Sequence, residues 1–456
     1  MKTHRLSLIN LCSLFISGTL LAGDPGPAPD FHAWAPTPPM GWNSWDYFAT
    51  TITEEQARTQ AAHMAKDLLP HGWKYFVVDH QWFEPGANGF NYRKRPELVM
   101  DGYGRLQPAP GRFPSAANGA GFKGLADYVH SLGLKFGIHI MRGIPRQAVE
   151  KNTPVLGTNQ HAADIADLKS TCSWNDDMYG VDMSKTGAQE FYNARIQQYA
   201  DWGVDFIKVD DLSRPYHEAE IEAIRKAIDL TGRPIVFSTS PGETPLGKGD
   251  HVSSHANMWR ISDDFWDKWP HLLAQFKRLN DWTAYRRPGA WPDADMLTLG
   301  RIDLGRRSTH FTPDEQLAMV TLWSIARSPL ILGADMTKLD AATMALLTND
   351  EVLAVNQHSE NSHQLFRTDD GLIAWVADVP GTQDKYLAVF NTRDAAKGSP
   401  KDGVAGVPVK LSTLGFTGPV RVCDLWAHNN TGSFQEEFIP EVPSHGARLF
   451  RLAAAH

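Results

Sequence analysis

Two aspartates, Asp210 and Asp264, have the residue type and the setting that paired-carboxylate chemistry requires. Each follows a short apolar run with a basic residue an even number of positions earlier, Lys208 before Asp210 and Arg260 before Asp264. Residues two or four apart in a strand share one face. An ionised carboxylate and a protonated carboxyl, about 5 to 5.5 Å apart, cleave a glycosidic bond with retention of configuration. The two positions are therefore candidates for the nucleophile and the acid of a retaining glycosidase.

The strand pattern supports the assignment of the acid less strongly than it supports the assignment of the nucleophile. Strand alternation is lost once a strand becomes a loop, so the pattern alone leaves Asp263 as an alternative to Asp264. Either aspartate could instead cap a helix, a common use of Asp after a strand. Lys208 is predicted to keep Asp210 ionised by placing a positive charge beside it.

The elements that would position these residues alternate along the chain from about residue 40. Short apolar runs with strand character alternate with segments of helical period, which is typical of βα units around a parallel sheet. The predicted strands are Met40–Trp45, Tyr75–Trp82, Lys135–Arg142, Phe206–Asp211, Pro234–Ser240, Met258–Asp263, Ala290–Leu297 and Ser328–Leu332. Predicted helices between them include Glu54–Leu68, Phe122–Ser131, Ala188–Trp202 and Glu218–Leu230. Eight such units predict a (β/α)8 TIM barrel.

Several of these predicted strands carry polar, mostly acidic residues at or near their ends. They are Asp79 with His80, Asp210 with Asp211, Asp263 with Asp264, and Asp293 with Asp295. In (β/α)8 enzymes the site lies where the strands end and the βα loops begin. Carboxylates collected at these ends therefore predict the site.

The flanking segments differ from the barrel. Residues 1–22 read as a signal peptide, because Lys2 and Arg5 precede an apolar stretch that ends in small residues, and residues 23–37 form a Pro-rich leader. The barrel is predicted over 38–358. From 359 to 456, alternating apolar runs between turn residues predict an antiparallel β-sandwich. We expect the chain to be secreted or periplasmic, without a membrane association after signal removal.

Composition narrows the class of partner. The net charge of −8 and the absence of a long basic run argue against nucleic-acid binding. The 15 Trp residues offer flat apolar faces that suit sugar rings as well as a protein core. Of three cysteines, Cys172 and Cys423 remain after signal removal, and neither lies in a CxxC or Cys/His cluster. A carbohydrate substrate is expected, while the oligomeric state is left open.

With these residues in view, the sequence resembles glycoside hydrolase family 27, which contains α-galactosidases and α-N-acetylgalactosaminidases. The resemblance spans about Pro38 to Arg451. Its motifs are Pro39-Met40-Gly41-Trp42-Asn43-Ser44-Trp45, Asp79, Lys208-Val209-Asp210, Trp259-Arg260 with Asp264, Trp291-Pro292-Asp293-Ala294-Asp295-Met296, Ser328-Pro329-Leu330, and Asn349-Asp350-Glu351-Val352 leading to Asn356-Gln357.

The resemblance implies roles for individual residues. Asp210 matches the family nucleophile, and Asp264 matches its acid/base, which selects it over Asp263. Four other positions match residues that hold the sugar in the −1 subsite: Trp45, Asp79, Lys208 and Arg260. The family uses neither a metal nor an organic cofactor, so none is expected here.

Three departures from the family pattern bear on the substrate. Typical α-galactosidases carry two consecutive Asp residues after the second strand, which bind the galactose O4 and O6 hydroxyls, and the second is His80 here. Some members with a non-acidic residue there act on β-L-arabinopyranosides, whose sugar is α-D-galactopyranose without the hydroxymethyl group. His139 replaces a common Tyr on the third strand. Ser240, in Ser238-Thr239-Ser240-Pro241-Gly242, lies in the loop that faces the sugar C2 substituent in the family.

Several functions are compatible with this pattern. The first hypothesis is an exo-acting α-galactosidase that releases terminal α-D-galactose from oligosaccharides or polysaccharide side chains. A β-L-arabinopyranosidase is the alternative, followed by an α-N-acetylgalactosaminidase and an inactive carbohydrate-binding barrel. A metal-dependent hydrolase using Asp79, His80 and His139 is disfavoured, because Lys208 and Arg260 would repel a cation in that pocket. His80 and His139 could also be structural.

Overall fold

The computed structural model describes residues 30–240, 242–395 and 403–455. The predicted signal peptide and the leader up to residue 29 lie outside the described residues. Within the described ranges, no helix is both long enough and apolar enough to cross a membrane.

The first part of the chain forms a barrel of eight parallel strands. They are β1 (Met40–Asn43), β2 (Tyr75–Val78), β3 (Lys135–Met141), β4 (Phe206–Asp210), β5 (Val236–Thr239), β6 (Met258–Arg260), β7 (Trp291–Asp293) and β8 (Leu330–Leu332). Each strand from β1 to β6 pairs in parallel with the next along the chain, and β8 pairs with β1. A bridge between Leu297 and Leu332 links the segment after β7 to β8 and closes the ring. The predicted (β/α)8 barrel is confirmed.

Among the described residues, twelve α-helices connect and cover the strands. They are α1 (Trp45–Phe48), α2 (Glu54–Asp67), α3 (Lys123–Ser131), α4 (Arg146–Lys151), α5 (Ala162–Ile165), α6 (Ala188–Asp201), α7 (Glu218–Leu230), α8 (Gly249–Ser253), α9 (Trp269–Asp281), α10 (Pro313–Ala326), α11 (Ala341–Leu347) and α12 (Asp350–His358). Local sequence determines where several of these helices begin. Thr53 and Gln56 form a capping box that begins α2, and Thr312 and Glu315 form another at α10.

The β3–α6 and β7–α10 connections carry short strands of their own. Ile144–Pro145, Met178–Val181 and Ala166–Thr171 form a three-stranded sheet after β3, with Met178–Val181 in the middle. Arg301–Ile302 pairs with Arg307–Ser308 after β7. Both additions precede the helix that returns the chain to the next barrel strand.

Strand alternation divides the barrel interior into an apolar base and a polar mouth. Residues near the strand starts form a buried apolar cluster that contains Tyr75, Val77, Phe206, Val236, Met258 and Trp291. One pleat further along β4 and β6, the same inward face presents Lys208 and Arg260. The outward-facing Ile207 and Val209 belong instead to the large core under the helices. The sequence thus fills the base with side chains and leaves the mouth for polar groups.

The C-terminal part contains a six-stranded antiparallel sheet. Its strands are β9 (Glu360–Arg367), β10 (Leu372–Asp378), β11 (Lys385–Asn391), β12 (Val420–Asp424), β13 (Asn429–Phe434) and β14 (Gly446–Ala454), in the order β9-β10-β11-β14-β12-β13. Two short pairs, Ala405–Gly406 with Glu441–Val442 and Val409–Lys410 with Glu437–Phe438, accompany it. Helix α12 ends at His358, so β9 follows directly.

Successive residues of a strand point to opposite sides of a sheet, and the central strands β10, β11 and β14 are buried on both faces over most of their length. Ala374, Val376 and Leu387 share an apolar cluster with the short pairs, as in a sandwich. Trp375 and Phe390 belong to the large barrel core instead. Helix α10 packs against β10, β11 and β14. The sheet therefore stabilises the barrel from outside.

The contact between Phe276 of α9 and Phe390 of β11 tests this interface. Their rings lie 4.9 Å apart in an edge-to-face arrangement, and both side chains are fully buried. We expect Phe390→Ala to lower the free energy of unfolding by about 3–5 kcal/mol, measured by urea denaturation. A double-mutant cycle with Phe276→Ala should give a coupling of about 1 kcal/mol. Ile439→Ala, at an exposed position, is the control. Equal effects of Phe390→Ala and Ile439→Ala on the free energy of unfolding would contradict the interface.

Candidate active site

A cavity of about 650 Å³ opens at the carboxyl ends of the barrel strands. Eight of the nine predicted site residues line it: Trp45, Asp79, His80, His139, Lys208, Asp210, Arg260 and Asp264. The ninth, Ser240, is buried beneath this cavity beside Lys208 and Arg260, where its hydroxyl has no hydrogen-bond partner among the described residues. Ser240 therefore belongs to the inner wall of the barrel, below the surface that a sugar would contact.

Asp79 and Lys208 form the central ion pair of the cavity. The Lys208 Nζ atom lies 2.9 Å from Asp79 Oδ2, which also accepts a hydrogen bond of 2.7 Å from Asn43 Nδ2. The backbone N–H of His80 donates to the other oxygen at 2.8 Å. Burial alone would raise the pKa of Asp79, but Lys208, His139 and these hydrogen bonds outweigh it and lower that pKa well below its usual range. Asp79 is therefore a fixed anion that can accept hydrogen bonds from a ligand.

Asp210, at the end of β4, takes its side-chain hydrogen-bond partner from β3. His139 Nε2 lies 2.8 Å from Asp210 Oδ2, and the backbone N–H of Asp211 donates to Oδ1 at 2.5 Å. Burial raises the pKa of Asp210, while the hydrogen bond from His139 and the charges of His139 and Lys208 oppose the rise. The predicted support from Lys208 is thus present as a charge effect, but its direct bond goes to Asp79 and the nucleophile candidate is held by His139.

Asp264 lies at the rim, with its side chain 57% exposed. Arg260 Nη2 lies 3.3 Å from Asp264 Oδ1 and 2.7 Å from Asp295 Oδ2, so one buried guanidinium serves two carboxylates. The alternative acid, Asp263, is paired with Arg214 in an exposed contact. Of these two aspartates, Asp264 is therefore the one that contacts the buried Arg260 in the cavity.

His80 is buried and makes one side wall of the cavity. Asn175 Nδ2 lies 3.3 Å from His80 Nε2, whereas His80 Nδ1 has no partner among the described residues. The ring centroid lies 4.8 Å from that of His139 and 5.2 Å from that of Tyr92. Burial, reinforced by His139, lowers the pKa of His80 well below its usual value. The wall thus carries a neutral imidazole packed among aromatic rings, at the position where typical α-galactosidases carry an Asp.

Several cavity residues were missed in the sequence. They are Asp46, Phe90, Tyr92, Trp174, Trp266 and Asp295. The aromatic ones come from long βα loops, where no period identifies a side-chain direction. Asp295 was noted among the strand-end acids but not as a site residue. Its φ of 82° is unusual for a residue with a side chain and turns its carboxylate toward Arg260 and the backbone N–H of Phe265.

Beneath these groups lies a set of buried acids with raised pKa values. Burial, with the charge of Asp295 next to it, raises the pKa of Asp293 to about 7 and the pKa of Asp46 well above its usual range. Burial also raises the pKa of Asp295, although Arg260 opposes the rise. A Cβ at Gly333 would lie 2.2 Å from Asp46 Oδ2, so the glycine makes room for that carboxyl. The mouth of the barrel therefore holds more carboxyl groups than its cations can neutralise.

A (β/α)8 barrel with two aspartates from separate strand ends, a lysine, an arginine and aromatic walls around an open cavity defines a glycoside hydrolase. The chain matches the family model described as alpha galactosidase A over residues 37–184 and 175–358, and the model of the alpha galactosidase C-terminal beta sandwich domain over 369–452. It belongs to glycoside hydrolase family 27, as the resemblance implied.

Individual relatives cover nearly the whole chain. An α-galactosidase from Coffea arabica is 30% identical over 426 residues, which is 91% of this chain and 93% of the relative. The crystal structure of a family 27 β-L-arabinopyranosidase from Geobacillus stearothermophilus is 48% identical, with a TM-score of 0.89 over 93% of this chain and 98% of that one. A variant of that enzyme in complex with arabinose superimposes with a TM-score of 0.90.

The bond between His139 and Asp210 gives a pH prediction. A buried carboxylate that loses a hydrogen-bond donor ionises at a higher pH. We expect His139→Leu to raise the pKa of Asp210 further and move the acid limb of kcat/KM to higher pH, because that limb reports the free enzyme. His139→Gln, which keeps an N–H donor, should shift it less. An acid limb unchanged in His139→Leu would contradict the role of the histidine.

Proposed function

We propose that the protein is a retaining exo-glycosidase that releases terminal β-L-arabinopyranose, with Asp210 as nucleophile and Asp264 as general acid/base. The observation that carries the choice of sugar is the neutral, buried His80 at the wall that would face the C5 substituent. The catalytic assignment is supported by the buried setting of Asp210 and the exposed setting of Asp264.

In the first step, a carboxylate oxygen of Asp210 attacks the anomeric carbon and forms a glycosyl ester. The bond from that carbon to the leaving-group oxygen breaks, and the proton of the Asp264 carboxyl moves to this oxygen. The hydrogen bond between His139 and Asp210 leaves one carboxylate oxygen to the histidine and the other near the Asp211 N–H, so the nucleophile is oriented before a substrate arrives.

In the second step, the Asp264 carboxylate removes a proton from a water molecule. The water oxygen attacks the anomeric carbon, the ester bond to Asp210 breaks, and both aspartates return to their starting states. The exposure of Asp264 suits this step, because water and the departing aglycone must both pass it.

Asp79, Lys208, Arg260 and Trp45 would hold the sugar in the −1 subsite. Asp79 is an ionised acceptor for two hydroxyl groups, and Lys208 Nζ has donors beyond the one used on Asp79. Trp45 stacks near Tyr92, with centroids 6.2 Å apart and planes 15° apart, which supplies a flat apolar wall. Ring C–H faces pack on such walls, while the hydroxyl groups point to the charged pair.

The sugar preference follows from what His80 no longer offers. A carboxylate that accepts a hydrogen bond from the O6 hydroxyl rewards a hydroxymethyl group, whereas a neutral ring among aromatic side chains does not. β-L-arabinopyranose lacks the hydroxymethyl group, so it has no O6 hydroxyl that would need a hydrogen-bond acceptor at this wall. The 48% identity to the Geobacillus β-L-arabinopyranosidase supports the same choice.

α-Galactosidase activity is the second candidate, and one observation favours it. His80 Nδ1 is buried without a partner among the described residues, so it could hydrogen-bond an O6 hydroxyl. A pocket of this kind rejects an additional group by only about 10- to 200-fold. We therefore expect p-nitrophenyl α-D-galactopyranoside to be hydrolysed, more slowly than p-nitrophenyl β-L-arabinopyranoside.

Variants of the two aspartates test the mechanism. Asp210→Asn should abolish turnover of both nitrophenyl glycosides, with kcat reduced by more than about 10³-fold. Asp264→Asn should keep a burst of nitrophenol, because this leaving group needs little acid assistance, and azide should accelerate its second step. Asp263→Asn is the matched control and should stay near wild type. If azide accelerated Asp263→Asn and not Asp264→Asn, Asp263 would be the general acid/base instead of Asp264.

The choice of sugar is tested at His80. His80→Asp supplies the missing acceptor, so the ratio of kcat/KM for galactoside to that for arabinopyranoside should rise by at least about tenfold. His80→Asn, which adds no charge, should change the ratio less. A wild-type enzyme that already prefers the galactoside, with a ratio unaffected by His80→Asp, would exclude the proposed role of His80.

A further inference from the structure

A second cluster of potential ligands lies away from the cavity, between α7 and the segment that begins with α8. Glu222, His251 and His255 each offer one ligand atom, and these atoms lie within 4.8 Å of one another. None of the three lines the active-site cavity. Within the described residues, this is the one group of at least three such side chains so arranged.

The outer hydrogen bonds of both imidazoles match those of metal-bound histidines. His251 Nδ1 lies 2.7 Å from the Tyr216 hydroxyl, and His255 Nδ1 lies 2.8 Å from the carbonyl oxygen of His251. With Nδ1 engaged by an outer partner, Nε2 is the nitrogen that each ring has left for a metal ion, as in metal-binding histidines. The Tyr216 and backbone contacts are thus an independent sign of orientation, beyond the presence of two histidines and an acid.

The spacing of the inner atoms also fits. His251 Nε2 lies 3.3 Å from Glu222 Oε1. Two ligands at about 2.0–2.1 Å from a tetrahedral Zn²⁺ are about 3.3–3.4 Å apart. The rings of His251 and His255 stack with centroids 4.3 Å apart. Glu218 is nearby: its Oε2 atom pairs with Lys248 Nζ at 2.7 Å, and its Oε1 atom lies 3.7 Å from His251 Nε2.

We propose that Glu222, His251 and His255 bind a divalent transition-metal ion such as Zn²⁺ and join α7 to the α8 segment. Two neutral imidazoles and one carboxylate are a ligand set that Zn²⁺ accepts, and they do not favour Mg²⁺ or Ca²⁺. The ion is structural: it fixes Tyr216, two residues after the Arg214 that lines the cavity rim, and takes no part in bond cleavage.

Calorimetric titration of ZnCl₂ into the full-length, tag-free protein, freed of metal with a chelator, tests the site. We expect one ion per chain, with affinity reduced at least tenfold in His255→Ala and about tenfold in Tyr216→Phe, which removes only the outer hydroxyl. His63→Ala is the matched control, because His63 and Asp67 form an exposed His/acid pair on α2 without a second imidazole. Its affinity should equal that of the wild type.

Thermal unfolding gives a second measurement that does not depend on activity. Zn²⁺ should raise the Tm of the wild type and leave that of Glu222→Gln nearly unchanged, since ligand binding to the folded state alone stabilises it. Glu222 is exposed, so this variant keeps its fold if His255→Ala does not. Absence of Zn²⁺ binding in the wild type, or equal binding in the wild type and Glu222→Gln, would overturn the proposal.

Discussion

The active site depends on how two deeply buried cations, Lys208 and Arg260, are shared among the carboxylates of the barrel mouth. Burial disfavours every charge, so an acid here stays ionised only beside a cation or a hydrogen-bond donor. Lys208 holds Asp79 as an anion, and Arg260 joins Asp295 to Asp264. Asp293 has no such direct ion pair among the described residues, and its pKa rises to about 7. The distance of each acid from these cations therefore contributes to whether its pKa is lowered, as at Asp79, or raised, as at Asp293.

The barrel itself was predictable because its signals are local. All eight strands occur within their predicted ranges, and parity along β4 correctly put Lys208 and Asp210 on one face of a single strand. The predicted charge effect of Lys208 on Asp210 is present, but the direct partner of Lys208, Asp79, lies 129 residues earlier and was not predicted. Which carboxylate reaches an ammonium group first depends on the stagger between neighbouring strands, and a strand pattern does not contain that stagger. Ser240 illustrates the same limit, since its depth in the barrel follows from stagger and closure.

Residues from the long loops were beyond a pattern-based prediction for another reason. The ring centroids of Tyr92 and Trp174 lie 5.4 Å apart in the cavity, although the two residues come from separate irregular segments. Their positions depend on tertiary packing, and composition could only indicate that some of the many tryptophans would line a site. Asp295 carried a usable signal in its motif, but its left-handed backbone conformation, which aims the carboxylate at Arg260, became visible only in three dimensions.

The two histidine replacements are best understood together. An aspartate at position 80 would add a negative charge close to His139 and to a nucleophile whose pKa burial already raises, so ionisation of Asp210 would become harder. A neutral His80 avoids that repulsion, and His139 adds a donor to Asp210 in addition. In the proposed function, the residue at position 80 faces the sugar and also lies close to His139, the partner of Asp210. The proposed sugar selectivity and the ionisation of Asp210 are therefore coupled through these two histidines.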